Sequence, residues 1–255
     1  MPLYATPKTI SDPDSCDFYH VIDIPGIGLR GGQWDLRATV KEYLGNYEFQ
    51  GKHVLEVGTA TGFLCFYMES QGADVVAYDL GPGDAWDLLL GPDDNEAEIR
   101  RSNALVCEAI NNGFWLCHKA FSSRAKMVNG TAYDIPVELG RFDVVTLCSV
   151  LLHLRDPLRA LQRAVPMAGE AIIITDRMPP WYQKSKGPYA EFVPKPEDKS
   201  PYGTRTWWFV SPDLYVSFLK IMGFGNCVVT LNKHLFVRAK APWEVELYTI
   251  VGRRT

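Results

Sequence analysis

From Lys52 to Asp176 the chain repeats one pattern: a short apolar, β-branched run, then a segment long enough for a helix. The runs read HVLEVG, DVVAYDL, AKMVNG, FDVVTLCSV and EAIIITD. Strands this uniformly apolar are covered on both faces, and strands that alternate with helices pair in parallel through crossovers. The expected fold class is therefore α/β, doubly wound and mostly parallel. A chain of 255 residues buries enough apolar surface to need no disulfides.

The six cysteines (Cys16, Cys65, Cys107, Cys117, Cys148 and Cys227) are scattered, without a CxxC pair. Together with an N-terminus that does not resemble a secretory leader, they imply reduced thiols and a cytoplasmic location. His20, His53, His118 and His234 show no ligand spacing with cysteines or acids, so no metal site is expected. Net charge is -4, which provides no overall positive field for a nucleic acid and favours a small-molecule partner. No apolar run approaches the roughly 18 residues of a membrane helix, because FDVVTLCSVLLHL breaks at Arg155 and Pro157. A soluble protein is expected, and the sequence leaves a homodimer open.

Residues 1–50 are rich in turn formers and read as an N-terminal cap, with QWDLRATVKEYLG as a short amphipathic helix ended by Gly45. Residues 51–255 form the main domain. Within it, an insertion at about 178–208 is rich in Pro, aromatic and charged residues, as binding loops and lids are. A helix then comes in SPDLYVSFLKIMGFG, with Ser211 as N-cap, Pro212 at its first position and Gly223 near its end. Two closing strands lie in NCVVTLNKH and WEVELYTIVGRR.

The segment EVGTATG places Gly58 and Gly62 around a strand-to-helix turn, with the strand ending at Val57 and the helix beginning near Ala60. Glycine admits a ligand close to the backbone, and the helix start offers unpaired N–H groups. Asp79 ends the next strand about twenty residues later, where a carboxylate accepts hydrogen bonds from ribose hydroxyls. A dinucleotide turn wants a middle glycine for its pyrophosphate. Here that position is Ala60, and Glu56 just before the turn disfavours phosphates and favours a cationic amino group.

This acid-x-Gly-x-x-x-Gly pattern resembles motif I of class I methyltransferases that use S-adenosyl-L-methionine (SAM) and release S-adenosyl-L-homocysteine (SAH). The resemblance implies a Rossmann-like, seven-stranded sheet with an antiparallel last strand. It implies cofactor contacts at Glu56, Gly58, Thr59, Ala60, Gly62, Phe63, Asp79 and Leu80. NGTAYDIP resembles the family's adenine loop, with Ala132, Tyr133 and Asp134 as contacts beside Thr131. FDVVTLCSVLLHLRDPLRAL resembles the family's fourth strand and its attached helix, with Cys148, Ser149 and Val150 under the sulfonium.

Within that superfamily, WDL, SVLLHLRDPL and WWFVSPDLYVSFLKIMGF are similar to segments of the enzymes that modify the tRNA wobble uridine with a carboxylated SAM. LLHLR replaces that subgroup's Tyr-bearing string, and its basic tRNA-binding portion has no counterpart. The resemblance therefore implies ordinary SAM, with methyl transfer to O or N of a small metabolite, natural-product intermediates included. An RNA-modifying methyl or carboxymethyl transferase is the alternative.

His153, after the fourth strand, is placed either as a general base or as a structural cap of the Asp156–Pro157 turn. Asp176, the second catalytic candidate, ends the fifth strand and Arg177 follows it as an acceptor contact, the alternative being that the two only anchor the insertion. Trp34 and Arg37 are candidates to close over the acceptor, the alternative being a packed Trp and a solvated Arg. Two or three of Trp181, Tyr182, Tyr202, Trp207, Trp208 and Phe209 are expected to reach the pocket, with Tyr202 and Trp208 as named acceptor contacts.

Overall fold

A computed structural model describes residues 2–84, 86–195, 205–237 and 241–255. Its main sheet has eight strands: β1 (Trp34–Asp35), β2 (His53–Val57), β3 (Asp74–Asp79), β4 (Lys126–Asn129), β5 (Phe142–Cys148), β6 (Ala168–Arg177), β7 (Asn226–Phe236) and β8 (Trp243–Arg253). In space they run β1-β7-β8-β6-β5-β2-β3-β4. The five strands expected from the apolar runs form the parallel block β4-β3-β2-β5-β6. β8 runs antiparallel to both of its neighbours.

Two expectations need correcting. The sheet has eight strands instead of seven, and β8 is not alone in running against the block, because β1 also pairs antiparallel, through Leu235↔Asp35 and Phe236↔Trp34. For the same reason the helix expected over QWDLRATVKEYLG shrinks to α1 (Val40–Tyr43). Its first residues are extended along β7, and the Asp35 carboxylate then turns the chain by accepting from the Arg37 backbone and side chain.

The remaining helices are α2 (Phe63–Ser70), α3 (Glu96–Ala120), α4 (Pro157–Ala164) and α5 (Pro212–Ile221). Each strand of the parallel block feeds both faces of the sheet. Val54 packs with α2, α3 and the N-terminal Leu36, Val40 and Tyr43, whereas Leu55 packs with Ala160, Leu161, Tyr215 and Leu219 of α4 and α5. Two-sided burial is what made the strands read as unbroken apolar runs. Capping agrees with the sequence: Ser211 accepts from the Leu214 N–H, and Asp156 from the Arg159 N–H. α3 starts on Asn95 with Glu96 and Glu98 in its first turn, and it ends with His118 and Lys119, in keeping with the helix dipole.

Candidate functional site

The carboxyl ends of the parallel strands open on a cavity of about 880 Å³. This edge is where open α/β sheets place ligands, since the crossover loops diverge there. Gly58 and Ala60 after β2, Asp79 and Leu80 at the end of β3, Ala132, Tyr133 and Asp134 after β4, and Cys148, Ser149 and His153 at and beyond the end of β5 all line it.

The glycine turn is longer than its sequence implied. The helix begins at Phe63 instead of near Ala60, because Gly58 (φ 85°), Ala60 (φ 49°) and Gly62 (φ 85°) are all left-handed. A Cβ on Gly58 would overlap Val150 Cγ2, so the turn and the floor meet with no room for a side chain. The Asp79 carboxylate ties the turn to β3, with Oδ2 accepting from the Ala60 N–H at 2.6 Å and Oδ1 from the Leu80 N–H at 2.7 Å. Burial raises the pKa of this carboxyl.

Glu56 and Thr59 lie behind the turn and do not line the cavity. Glu56 accepts from the Thr59 hydroxyl at 2.6 Å, while its Oε1 is buried without a partner. Burial pushes this carboxyl up to about 8. Phe63 packs on His20, with ring centroids 5.3 Å apart. On the floor, Ser149 is also left-handed (φ 53°), and its hydroxyl sits 2.8 Å from the Tyr43 hydroxyl, which links the N-terminal segment to the site. Burial pushes the Cys148 thiol up to about 12, so it stays protonated.

His153 Nδ1 lies 2.9 Å from the Arg205 carbonyl. A carbonyl only accepts, so the ring carries its proton on Nδ1 and keeps the lone pair on Nε2. Burial lowers the pKa of this imidazole, which stays neutral. The alternative role as a turn cap falls away, because Asp156 caps its own helix and its N–H donates to the Tyr133 hydroxyl.

The other acceptor candidates lie elsewhere. Asp176 is 2% exposed, accepts from the Arg177 N–H and does not line the cavity; burial pushes it up to about 7. The Arg177 guanidinium covers Phe209. Trp34 packs edge-on against Phe236, and Arg37 pairs with Asp35 beside a separate depression that also includes Lys233 and Glu244. Trp208 donates to the Arg155 carbonyl, outside the cavity lining. Tyr202 lies outside the described residues.

None of the described insertion aromatics lines the cavity. Its aromatic walls are Tyr19, Tyr78, Trp86 and Tyr133. The sequence reading assigned no role to Tyr19, His20, Gln33, Trp86 or Arg205. His20 is 4% exposed, its ring makes no hydrogen bond, and burial pushes it down to about 3. The only available signal was Trp86, a lone aromatic in the polar stretch GPGDAWD.

These shifts set a stability profile. Glu56 and Asp176 hold protons in the folded state that the unfolded chain releases, so stability falls as pH rises from about 4.5 towards 8. Buried His20, His153 and His234 act oppositely, since unfolding lets them bind protons below about 6.5. Maximum stability is expected near pH 6.5, with a loss of roughly 1–2 kcal/mol by pH 8. Thermal unfolding of Glu56→Gln should show a flatter alkaline limb; an unchanged limb would rule out Glu56 as its source.

Among the described residues, no group of three or more His, Cys, Asp and Glu is arranged to hold a metal, and no helix is long and apolar enough to cross a membrane. No curated protein matches the sequence. Among solved structures, the N-terminal domain of EvdMO1 with SAH bound is similar at 17% identity and TM-score 0.57, over 95% of this chain and 93% of that one. PH1948 of Pyrococcus horikoshii, assigned as an RNA methyltransferase, gives 13% and 0.50 over 85% and 84%. Magnesium protoporphyrin IX methyltransferase of Synechocystis with SAH bound gives 12% and 0.50 over 85% and 81%. The resemblance to the wobble-uridine subgroup gains no support from these structures. The methyltransferase-domain family model matches residues 33–184, more than half of the sequence, and the chain belongs to that family.

Proposed function

We propose that the protein is a SAM-dependent methyltransferase that methylates an oxygen or nitrogen of a small molecule. The observation that carries the donor assignment is Asp79, anchored across the left-handed glycine turn to Ala60 at the edge of the cavity. The residues present fit SAM: the left-handed turn at Gly58 and Ala60 lines the cavity, Asp79 would hold the ribose, and Ala132, Tyr133 and Asp134 would hold the adenine. Glu56, which lies outside the cavity lining, would act on the donor's ammonium group through the turn. The structures of EvdMO1 and of the Synechocystis enzyme with SAH support the same reading.

When bound, SAM supplies an electrophilic methyl group on a sulfonium. This chain's residues align the reactants and exclude water, which is most of what an in-line displacement requires. Ser149, held by Tyr43, shapes the floor. His153, with its lone pair on Nε2, can take the proton of an acceptor hydroxyl as the oxygen bonds to the methyl carbon; an amine acceptor needs only positioning. The cavity side supports a small acceptor without net negative charge, since Asp17, Asp79, Asp87 and Asp134 outnumber Arg159 and Arg205 in its lining.

The test is incubation of labelled SAM with cell extract and identification of the labelled product, alongside a mobility-shift assay with RNA at several salt concentrations. A labelled small molecule and no salt-sensitive RNA binding are expected. Labelled RNA would transfer the assignment to the RNA alternative, and no SAH binding in calorimetry would remove the donor assignment itself.

A further inference from the structure

Three contacts meet on Arg205, within the insertion. Its carbonyl receives the His153 Nδ1 proton. Its guanidinium lies over the Trp86 ring, 4.1 Å from the centroid, and donates to Asn103 Oδ1 on α3. Asn103 is buried and fixed to its helix through the Ile99 carbonyl at 2.8 Å. Arg205, Trp86 and His153 all line the cavity. One residue therefore joins the α3 side of the cavity to the histidine after β5.

The tautomer of a histidine is set by the partner of its other nitrogen. Without a carbonyl at Nδ1, the proton can move to Nε2 and the lone pair facing an acceptor hydroxyl is lost. We propose that Arg205, latched by Trp86 and Asn103, is a positioning residue that holds His153 in the Nδ1–H tautomer, so that His153 is a competent base only while the Arg205 carbonyl is held against its Nδ1. This rests on the reading of His153 as the base that faces the acceptor. The neighbouring Trp207 anchors the segment independently: its backbone N–H donates to the Leu152 carbonyl at 2.8 Å and its Nε1–H to the Asp87 carbonyl at 2.9 Å. Loss of the Arg205 side chain should therefore free the latch without detaching the segment.

The test uses the full chain with 15N-labelled histidine, with His153 assigned by comparison with His153→Gln. Two-bond proton–nitrogen correlation spectra should show a pyrrole-type Nδ1 and a pyridine-type Nε2 at His153 in the wild type. In Arg205→Met and Trp86→Leu, each shown by thermal unfolding to be folded, the Nε2 signal should shift towards the pyrrole range. Arg205→Lys should recover part of the wild-type signal, because an ammonium can still sit on Trp86 but lacks the guanidinium fork. A wild-type ring protonated on Nε2, or an unchanged Nδ1–H tautomer in both folded variants, overturns the proposal. Failure of the donor reading is seen separately, as wild-type protein that does not bind SAH whatever its histidine spectrum.

Discussion

Gly58→Val is expected to abolish SAH binding in calorimetry while leaving a protein that still unfolds cooperatively at a lower temperature. The left-handed φ of 85° costs a residue with a side chain about 1–2 kcal/mol, and more for a β-branched one. The new Cβ also overlaps Val150 Cγ2, a clash that costs about a further 1–3 kcal/mol to relieve. A domain with about 5–15 kcal/mol of stability survives such a loss. The site fares worse, because relief moves either the glycine turn or the Val150 floor, and both line the cavity. Gly58→Val combined with Val150→Ala removes the clash but keeps the backbone strain, so binding should return only in part. Full SAH affinity in folded Gly58→Val would show that the turn does not contact the donor.

Asp79→Ala is the second large effect, with SAH affinity expected to fall by about a hundredfold or more. The carboxylate accepts two backbone N–H groups, from Ala60 and Leu80, and each such charge-assisted bond contributes roughly 1.5–3 kcal/mol. Its removal loosens the turn and deletes the proposed ribose contact in one step. Stability should change less than binding, since burial opposes the ionised form of this group. Asp79→Asn keeps one acceptor oxygen but turns an amide towards the second N–H, so it should lie between wild type and alanine. Paired calorimetry and thermal unfolding check this, and equal affinity for wild type and Asp79→Ala would sink the assignment.

Much of this site was legible because local chemistry fixed it. Gly58, Ala60, Asp79 and the 132–134 loop sit at strand ends, and apolar runs bounded by turn residues mark strand ends in any parallel sheet. The helix start was misplaced because a helical pattern over 33–45 competes with pairing of Trp34 and Asp35 to β7, a partner two hundred residues away that no local pattern announces. The insertion misled for a related reason. Its aromatics suggested a wall for the pocket, yet Trp207 and Trp208 spend their indole N–H groups on the Asp87 and Arg155 carbonyls and do not line the cavity.

Spacing within a few tens of residues was enough to specify the parallel block, the glycine turn with its acid on the next strand, and the capped helix that begins at Pro212. Packing alone settled that Tyr19, His20, Trp86 and Arg205 share the cavity, that Asp176 is sealed away from it, and that His153 holds its proton on Nδ1. Those outcomes depend on which distant segments meet over the sheet edge, and burial and hydrogen bonding there are properties of the packed chain, which no residue carries alone.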